Sequence, residues 1–180
     1  MKTYIAFLRG INVSGKKKIP MAELRELCES VKLKDVKTYI QSGNIIFKSN
    51  RTNTTELEKL IEKAILNNFG FEVLVLIKTV EQLNKIISIN PFNLEADILD
   101  NKIYFVLLNS EPQIEFLESF KNEEFKNEEF FYNENCIYLK CNVGYGKAKL
   151  NNNLIERKLK LLATTRNYRT MNTLIDLSKA

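Results

Sequence analysis

Two short polar segments carry the side chains best suited to binding an anion, and each follows an apolar, strand-like stretch. The first segment offers Arg9, Gly10 and Asn12, and the second offers Gln41, Ser42, Gly43 and Asn44. A guanidinium can form two parallel hydrogen bonds to a phosphate or carboxylate, while amides and hydroxyls orient the ligand. Glycines let the backbone approach closely. This set predicts a binding site for a phosphorylated or otherwise anionic ligand.

The elements around these segments should bring them together. Residues 3–8 read as a strand, Pro20 opens an amphipathic helix, residues 36–48 read as a hairpin, and a further helix and strand extend to Ile77. This β-α-β-β-α-β sequence is typical of the ferredoxin-like fold. Right-handed crossovers then place the end of strand one beside the start of strand three. We therefore expect both segments at one edge of one sheet.

The rest of the chain predicts a second, smaller α+β unit followed by two C-terminal helices, with domains at residues 1–78 and 79–180. Thr79 and Gln82 form a capping-box pattern, as do Thr55 and Glu58. The C-terminal helices are predicted at residues 152–162 and 167–177, and Thr164 or Thr165 would cap the last one. Arg166 and Asn167 would then stand at a helix start and could close over the first site.

Composition excludes several kinds of catalytic site. The 180 residues include no histidine, so Ser-His and Cys-His dyads are impossible. The three cysteines, Cys28, Cys136 and Cys141, form no CxxC pair and favour free thiols in a reducing, cytoplasmic location. No apolar run approaches the length of a membrane span or a signal segment. We predict no metal, no cofactor and no membrane association; the oligomeric state is not predicted.

Two other functions fit parts of the sequence. Acylphosphatases share the ferredoxin-like fold and a phosphate-binding loop after strand one; by this analogy Arg9 would hold a phosphoryl group while Asn44 or Asn12 orients water. Lys16, with the two lysines that follow it, adds positive charge beside the first segment. A nucleic-acid interface is the third alternative, built from basic residues. Its candidates are Lys16, Lys17, Lys18, Lys147, Lys149, Arg157, Lys158 and Lys160.

A direct repeat of five residues stands out in the second half. The sequence Lys-Asn-Glu-Glu-Phe occurs at residues 121–125 and again at 126–130. It is too short to be a solenoid unit. We interpret this tandem repeat as a solvated, charged connector at a helix end, without a function of its own.

Several longer motifs resemble a bacterial family catalogued as domain of unknown function 1697. They are Leu-Arg-Gly-Ile-Asn-Val at residues 8–13, Pro-Met-Ala-Glu-Leu at 20–24, Tyr-Ile-Gln-Ser-Gly-Asn at 39–44, Asn-Pro-Phe at 90–92, Tyr-Gly-Lys-Ala-Lys-Leu at 145–150 and Ala-Thr-Thr-Arg-Asn-Tyr at 163–168. Ser14 and Tyr168 depart from the family's usual Gly and Trp. The resemblance implies a cytoplasmic bacterial protein of two α+β halves, the first ferredoxin-like. It implies no particular activity, cofactor or catalytic residue.

Overall fold

Among residues 1–179, eight strands form two four-stranded antiparallel sheets, and α-helices accompany both. The computed structural model describes residues 1–179. The chain divides into two compact units, the first comprising Met1–Lys85 and the residues from Thr173 onward, and the second Ile86–Asn172. The mixed α+β class predicted from the sequence is confirmed.

The first unit contains four strands and two long helices in the expected order. Its elements are β1 (Lys2–Leu8), α1 (Met21–Ser30), β2 (Lys34–Tyr39), β3 (Asn44–Ser49), α2 (Thr54–Phe69) and β4 (Val75–Thr79), and α3 (Val80–Ser88) crosses the boundary to the second unit. The strand order is β2-β3-β1-β4, and each neighbouring pair is antiparallel. This is the order that right-handed crossovers predict.

The helices of the first unit bury one face of its sheet. Tyr4, Ala6 and Leu8 alternate along β1 and join a core that includes Leu24 of α1 and Ile61 of α2. The intervening side chains Ile5 and Phe7 are buried as well, which explains why the strand is apolar on both faces from Tyr4 to Leu8. Gly70 ends α2 in the left-handed conformation, as its position predicts.

The second unit repeats this order of elements. Its elements are α4 (Glu95–Leu99), β5 (Ile103–Leu108), α5 (Ile114–Lys121), β6 (Glu128–Asn133), β7 (Cys136–Cys141), a short turn of 3-10 helix (Tyr145–Lys147), α6 (Asn152–Leu159) and β8 (Ala163–Asn167), followed by α7 (Tyr168–Lys179). The strand order, β6-β7-β5-β8, matches that of the first sheet strand for strand.

Strand β8 corrects the prediction that Thr164 or Thr165 caps the last helix. The two C-terminal helices are present, but the residues between them pair with β5 and complete the second sheet. The β-branched threonines suit a strand, and β5 would otherwise expose its edge. The cap of α7 comes from Asn167, whose Oδ1 accepts a hydrogen bond from the Thr170 N–H at 2.8 Å.

The two predicted capping boxes have different outcomes. The Thr79–Gln82 box is confirmed, because each side chain accepts a hydrogen bond from the other's backbone N–H. The Thr55–Glu58 box is wrong. Asn53 caps α2 instead, and its Oδ1 accepts from Thr55 N at 3.0 Å. Asparagine is a stronger N-cap than threonine, and Asn53 lies two residues before Thr55, directly ahead of the first helical residue.

No helix among residues 1–179 has both the length and the apolar character needed to cross a bilayer.

Candidate functional site

The two polar segments lie side by side at the end of β1 and the start of β3. The Leu8 N–H donates to the Gly43 carbonyl at 2.8 Å, and the side chain of Asn12 reaches the Gln41 carbonyl at 2.9 Å. The antiparallel pairing of β1 with β3 imposes this arrangement, because Phe7 is paired with Asn44. Sequence connectivity and the observed sheet therefore agree on where these loops meet.

The loop after β1 is a small hairpin of its own. The Asn12 N–H donates to the Lys17 carbonyl at 3.1 Å, and the Lys16 N–H donates to the Val13 carbonyl at 3.0 Å. At its tip, residues 14 and 15 both have positive φ, 50° and 74°. Two such residues form the turn that best matches the twist of a two-residue hairpin. The loop therefore has a defined backbone that presents its lysines.

Asn12 holds this loop in place through three hydrogen bonds. Its Nδ2 donates to the carbonyls of Ile19 (3.0 Å) and Gln41 (2.9 Å), and its Oδ1 accepts from the Ile19 N–H at 2.9 Å. Both amide donors are thus used by backbone carbonyls. At φ 54°, asparagine also tolerates the left-handed backbone better than most residues. These bonds position the loop against the β2–β3 turn.

Asn44 has a similar supporting role at the base of the β2–β3 turn. Its side chain is fully buried, and Nδ2 donates to the Tyr39 carbonyl at 2.9 Å and to Ser42 Oγ at 3.2 Å. These bonds close the four-residue turn. An isolated buried amide would be costly, so the bonds also explain why a polar side chain occupies this site.

Gly43 allows the two loops to approach closely. A Cβ at this position would lie 2.6 Å from Ile11 Cδ1 and 2.8 Å from Leu8 Cβ, and the backbone has a φ of +78°. Both the space and the conformation therefore require glycine. Gly10 also has positive φ, but a Cβ there would meet nothing within 4 Å.

The remaining polar groups are accessible to solvent to different degrees. Arg9 and Ser42 are partly exposed, whereas Gln41 and Lys16 are exposed. Lys17 Nζ donates to the Glu72 carbonyl at 2.6 Å, which ties the loop to the segment before β4. Within residues 1–179, Lys16 forms no ion pair, so its charge faces solvent uncompensated. The side chains that can reach a ligand here are therefore cationic or neutral polar.

Arg166 and Asn167 belong to the second unit, where each has local partners. Arg166 is 7% exposed, and its Nη1 donates to Thr164 Oγ1 and to the Thr165 carbonyl, both at 2.9 Å. Asn167 caps α7. A buried guanidinium bonded to its own strand supports that strand's edge. Position in sequence did not reveal this role, because the segment was interpreted as a helix start.

Comparing the two units shows that the loop after β1 is not required to form this topology. In the second unit the Leu108 N–H donates to the Asn135 carbonyl at 2.9 Å, and this bond corresponds to the one from the Leu8 N–H to the Gly43 carbonyl in the first unit. The connection from β1 to α1 covers residues 9–20, whereas that from β5 to α5 covers only residues 109–113. The same crossover thus forms without the Arg9–Lys18 loop. That loop is an addition to the common framework.

Comparisons with known proteins give family membership and fold. A search of curated proteins finds no match. Among solved structures, the conserved bacterial protein SP0830 from Streptococcus pneumoniae is similar, with a TM-score of 0.79 and 24% sequence identity over 100% of this chain and 99% of that chain. At this identity the likeness shows the fold alone. The family model for proteins of unknown function named DUF1697 matches residues 1–138. The chain therefore belongs to the DUF1697 family.

Proposed function

We propose that the first unit binds a small phosphorylated or otherwise anionic ligand at an anion rim. This rim consists of Arg9, Gly10, Lys16, Gln41, Ser42 and Gly43. The observation that carries the proposal is the ordered, cationic loop at residues 9–18, which the second unit lacks although it has the same sheet. A loop that the fold does not need, yet that is held by several hydrogen bonds, is typical of binding rather than of folding.

The side chains of the anion rim would make different contacts with the ligand. Arg9 supplies a planar fork that can donate two hydrogen bonds to one phosphate, and Lys16 supplies a mobile charge. Gln41 and Ser42 contribute neutral polar groups from the other loop. Asn12 and Asn44 act as positioning residues, since their amide donors already bind the backbone or Ser42. We leave Arg166 and Asn167 outside the anion rim because of their partners in the second unit.

The same observations favour a binding protein over a hydrolase. The acylphosphatase analogy requires Asn12 or Asn44 to orient a water molecule. Both Nδ2 hydrogens of each amide are already donated within the loops, so either amide could donate to a water molecule only by giving up one of these bonds. A nucleic-acid interface is also less favoured, since Lys158, one of its proposed lysines, already pairs with the carboxylate of Glu123 at 2.6 Å.

We also propose a broader classification for this chain. The shared strand order supports assigning both units to the ferredoxin-like class and treating them as the two domains of the chain. All three cysteines are buried, and none forms a disulfide bond within residues 1–179, which favours a reducing, cytoplasmic environment.

Glycine amides provide a direct test of the anion rim. The chain has six glycines, so their region of a ¹H-¹⁵N correlation spectrum is simple to assign. We expect pyrophosphate, titrated at constant ionic strength, to shift the Gly10 and Gly43 signals along a saturating curve. The signals of Gly70, Gly144 and Gly146 should remain in place. Shifts that do not saturate, or that are shared by all glycines, would overturn the proposal.

Substitution separates local recognition from general charge. Arg9→Gln should weaken pyrophosphate binding at least ten-fold, because the bidentate charged contact is lost. Lys63→Gln on the exposed side of α2 removes the same charge elsewhere and should change the affinity less than two-fold. Far-ultraviolet circular dichroism of both variants checks that the fold is intact. Hydrolysis of acetyl phosphate above the spontaneous rate, lost in Arg9→Gln, would instead favour the hydrolase.

A further inference from the structure

We propose that the outer edge of β6 binds an extended polypeptide segment with lysine or arginine side chains, which adds to the second sheet as a further strand. The proposal concerns the second unit and does not depend on the anion rim. It assigns a role to the tandem repeat, which was interpreted from sequence as a solvated connector.

The two copies of the tandem repeat adopt different structures and together line a cleft of about 630 Å³. The first copy ends α5 and forms the following loop, whereas the second enters strand β6 at Glu128. Their phenylalanines, Phe125 and Phe130, contact each other edge to face with ring centroids 6.0 Å apart. The cleft also includes Phe131, an aromatic side chain that is 45% exposed. Strand β6 therefore forms one wall of an open groove.

The backbone of β6 presents unused hydrogen-bonding groups to this groove. On β7, the Cys141 N–H donates toward β5, to the Lys102 carbonyl at 2.9 Å, so alternate residues of β7 face β6. The register then directs the backbone groups of Glu128, Phe130 and Tyr132 away from β7. Among residues 1–179, no side chain or backbone group bonds to the N–H groups of Phe130 and Tyr132. This is the arrangement that accepts an added strand.

Strand β4, at an edge of the first sheet, is protected by side chains of neighbouring helices. Three outward N–H groups of β4 each donate to a side-chain oxygen. The pairs are Val75 with Glu62 (2.9 Å), Ile77 with Glu58 (2.8 Å) and Thr79 with Gln82 (2.9 Å). Covering an edge in this way prevents it from pairing with another chain.

The other two edges have protection of their own. In β8, the Ala163 N–H donates to Glu156 Oε1 at 3.0 Å, and Arg166 Nη1 donates to the Thr165 carbonyl at 2.9 Å. Strand β2 is interrupted by an irregularity between Lys34 and Lys37, and both flanking lysines are exposed. Bulges and edge lysines discourage pairing. Within the described part of the chain, strand β6 has no covering side chain, bulge or edge lysine, which makes it the edge that is open to a partner.

Charge indicates which kind of partner fits. Four glutamates line the cleft with a single lysine, Lys121, although the whole chain has a net charge of +5. Two of them, Glu123 and Glu129, pair with lysines outside the lining, whereas Glu124 and Glu128 do not. Glu124 forms no ion pair among residues 1–179. Glu128 is 6% exposed, and its buried Oε2 has no hydrogen-bond partner in the described structure. A buried carboxylate oxygen without a donor is costly, so an incoming cationic donor would be favourable.

The same charges disfavour pairing of β6 with a second copy of this chain. Two identical edges would bring their acidic clefts together, and like charges across neighbouring strands destabilise a sheet. A basic segment has the complementary charge and can supply alternating side chains to both faces of the added strand. The occupant that the cleft favours is therefore an extended basic segment.

A synthetic peptide can test strand addition directly. The probe is a fluorescein-labelled, acetylated and amidated Val-Lys-Val-Lys-Val-Lys-Val peptide, and binding to the full chain is followed by anisotropy. We expect saturable binding that weakens at least ten-fold when alternate peptide nitrogens are methylated, because methylation removes the donors needed for a strand. A peptide with glutamate in place of lysine should not bind. Equal binding of the methylated peptide, or no binding of the lysine peptide, would overturn the proposal.

Variants of the protein locate the site. Glu124→Lys should lower the affinity for the lysine peptide at least five-fold. Glu26→Lys makes the same charge change at an exposed position of α1 and should change the affinity less than two-fold. Equal effects would show general electrostatic attraction and contradict the assignment. Sedimentation velocity of the peptide-free protein adds an independent readout. If the native protein is a dimer that does not bind the peptide, and Glu124→Lys makes it monomeric, then the occupant of this edge is a second copy of the chain. That result would overturn the proposal.

Discussion

Individual asparagines and glycines determine how the two loops of the first unit meet. Asn12 bridges the loop after β1 to the Gln41 carbonyl, and Gly43 permits contact with Ile11 and Leu8. The sequence predicts that these residues meet, and it also predicts that the asparagines contact a ligand. Residue type does not separate supporting a loop from binding a ligand, because an asparagine amide can bond to a backbone carbonyl or to a ligand. Only the positions of the carbonyls distinguish the two.

Replacing Gly43 by alanine should destabilise the protein by more than the conformational cost alone. Gly43 and Gly70 have the same φ of +78°, but a Cβ at Gly70 would meet nothing within 4 Å. Gly70→Ala should therefore cost about 1 kcal/mol from backbone strain, and Gly43→Ala about 1–3 kcal/mol more from overpacking. Urea unfolding of both variants measures the difference. Equal losses would show that Ile11 and Leu8 move aside freely.

At the scale of single elements, the edge strands of the two sheets differ in whether side chains cover their outward backbone groups. Strand β4 is covered by glutamates of α2, whereas β6 is open beside an acidic cleft. The sequence predicted both strands from their apolar or aromatic content, yet it could not show which edges were covered. A covering side chain such as Glu58 is distant in sequence from Ile77, and its alignment depends on how α2 packs against β4.

The carboxyl of Glu58 should make stability depend on pH in a defined direction. Burial raises its pKa from the ordinary value of 4.5, although the bond from the Ile77 N–H opposes the shift. Because the folded state holds the proton more tightly, this group contributes most to stability below pH 4.5, and that contribution is lost as pH rises through the raised pKa.

Glu58→Gln retains an oxygen that can accept from Ile77 and removes the ionisation. The variant and the native protein should have similar free energies of unfolding at pH 4, and at pH 7 the variant should be at least as stable. Guanidinium unfolding at both pH values provides the comparison. Glu58→Ala is the control, since it removes the acceptor and should be less stable than Glu58→Gln at both. If the native protein became more stable than Glu58→Gln as the pH rises, the predicted direction of the pKa shift would be wrong.

At the scale of the whole molecule, one topology occurs twice in the chain with different additions. The first copy adds the loop at residues 9–18, and the second adds the acidic cleft beside β6. The last helix, α7, begins in the second unit and contributes its residues from Thr173 onward to the first. The first unit is thus built from two parts of the chain that are far apart in sequence.

The final turns of α7 should matter for stability for this reason. Leu174 has no exposed surface, so Leu174→Ala should lower the free energy of unfolding by about 2–4 kcal/mol through lost burial and a residual cavity. Asp176→Ala changes an exposed residue of the same helix and should cost about 0.5 kcal/mol or less. Urea unfolding compares the two. Similar small losses for both would show that this segment contributes little to the first unit's core.

The sequence by itself determined the α+β class, most elements of both units and the meeting of the two polar loops. Hydrophobic periodicity, turn residues and the handedness of crossovers are local or topological properties, so they can be read along the chain. Only the tertiary structure decided that residues 163–167 form β8, that the amides of Asn12 and Asn44 bond within the two loops, and that the outward N–H groups of Phe130 and Tyr132 in β6 have no partner among residues 1–179. These features depend on which backbone groups from distant segments come within hydrogen-bonding distance, and residue type and spacing do not specify that.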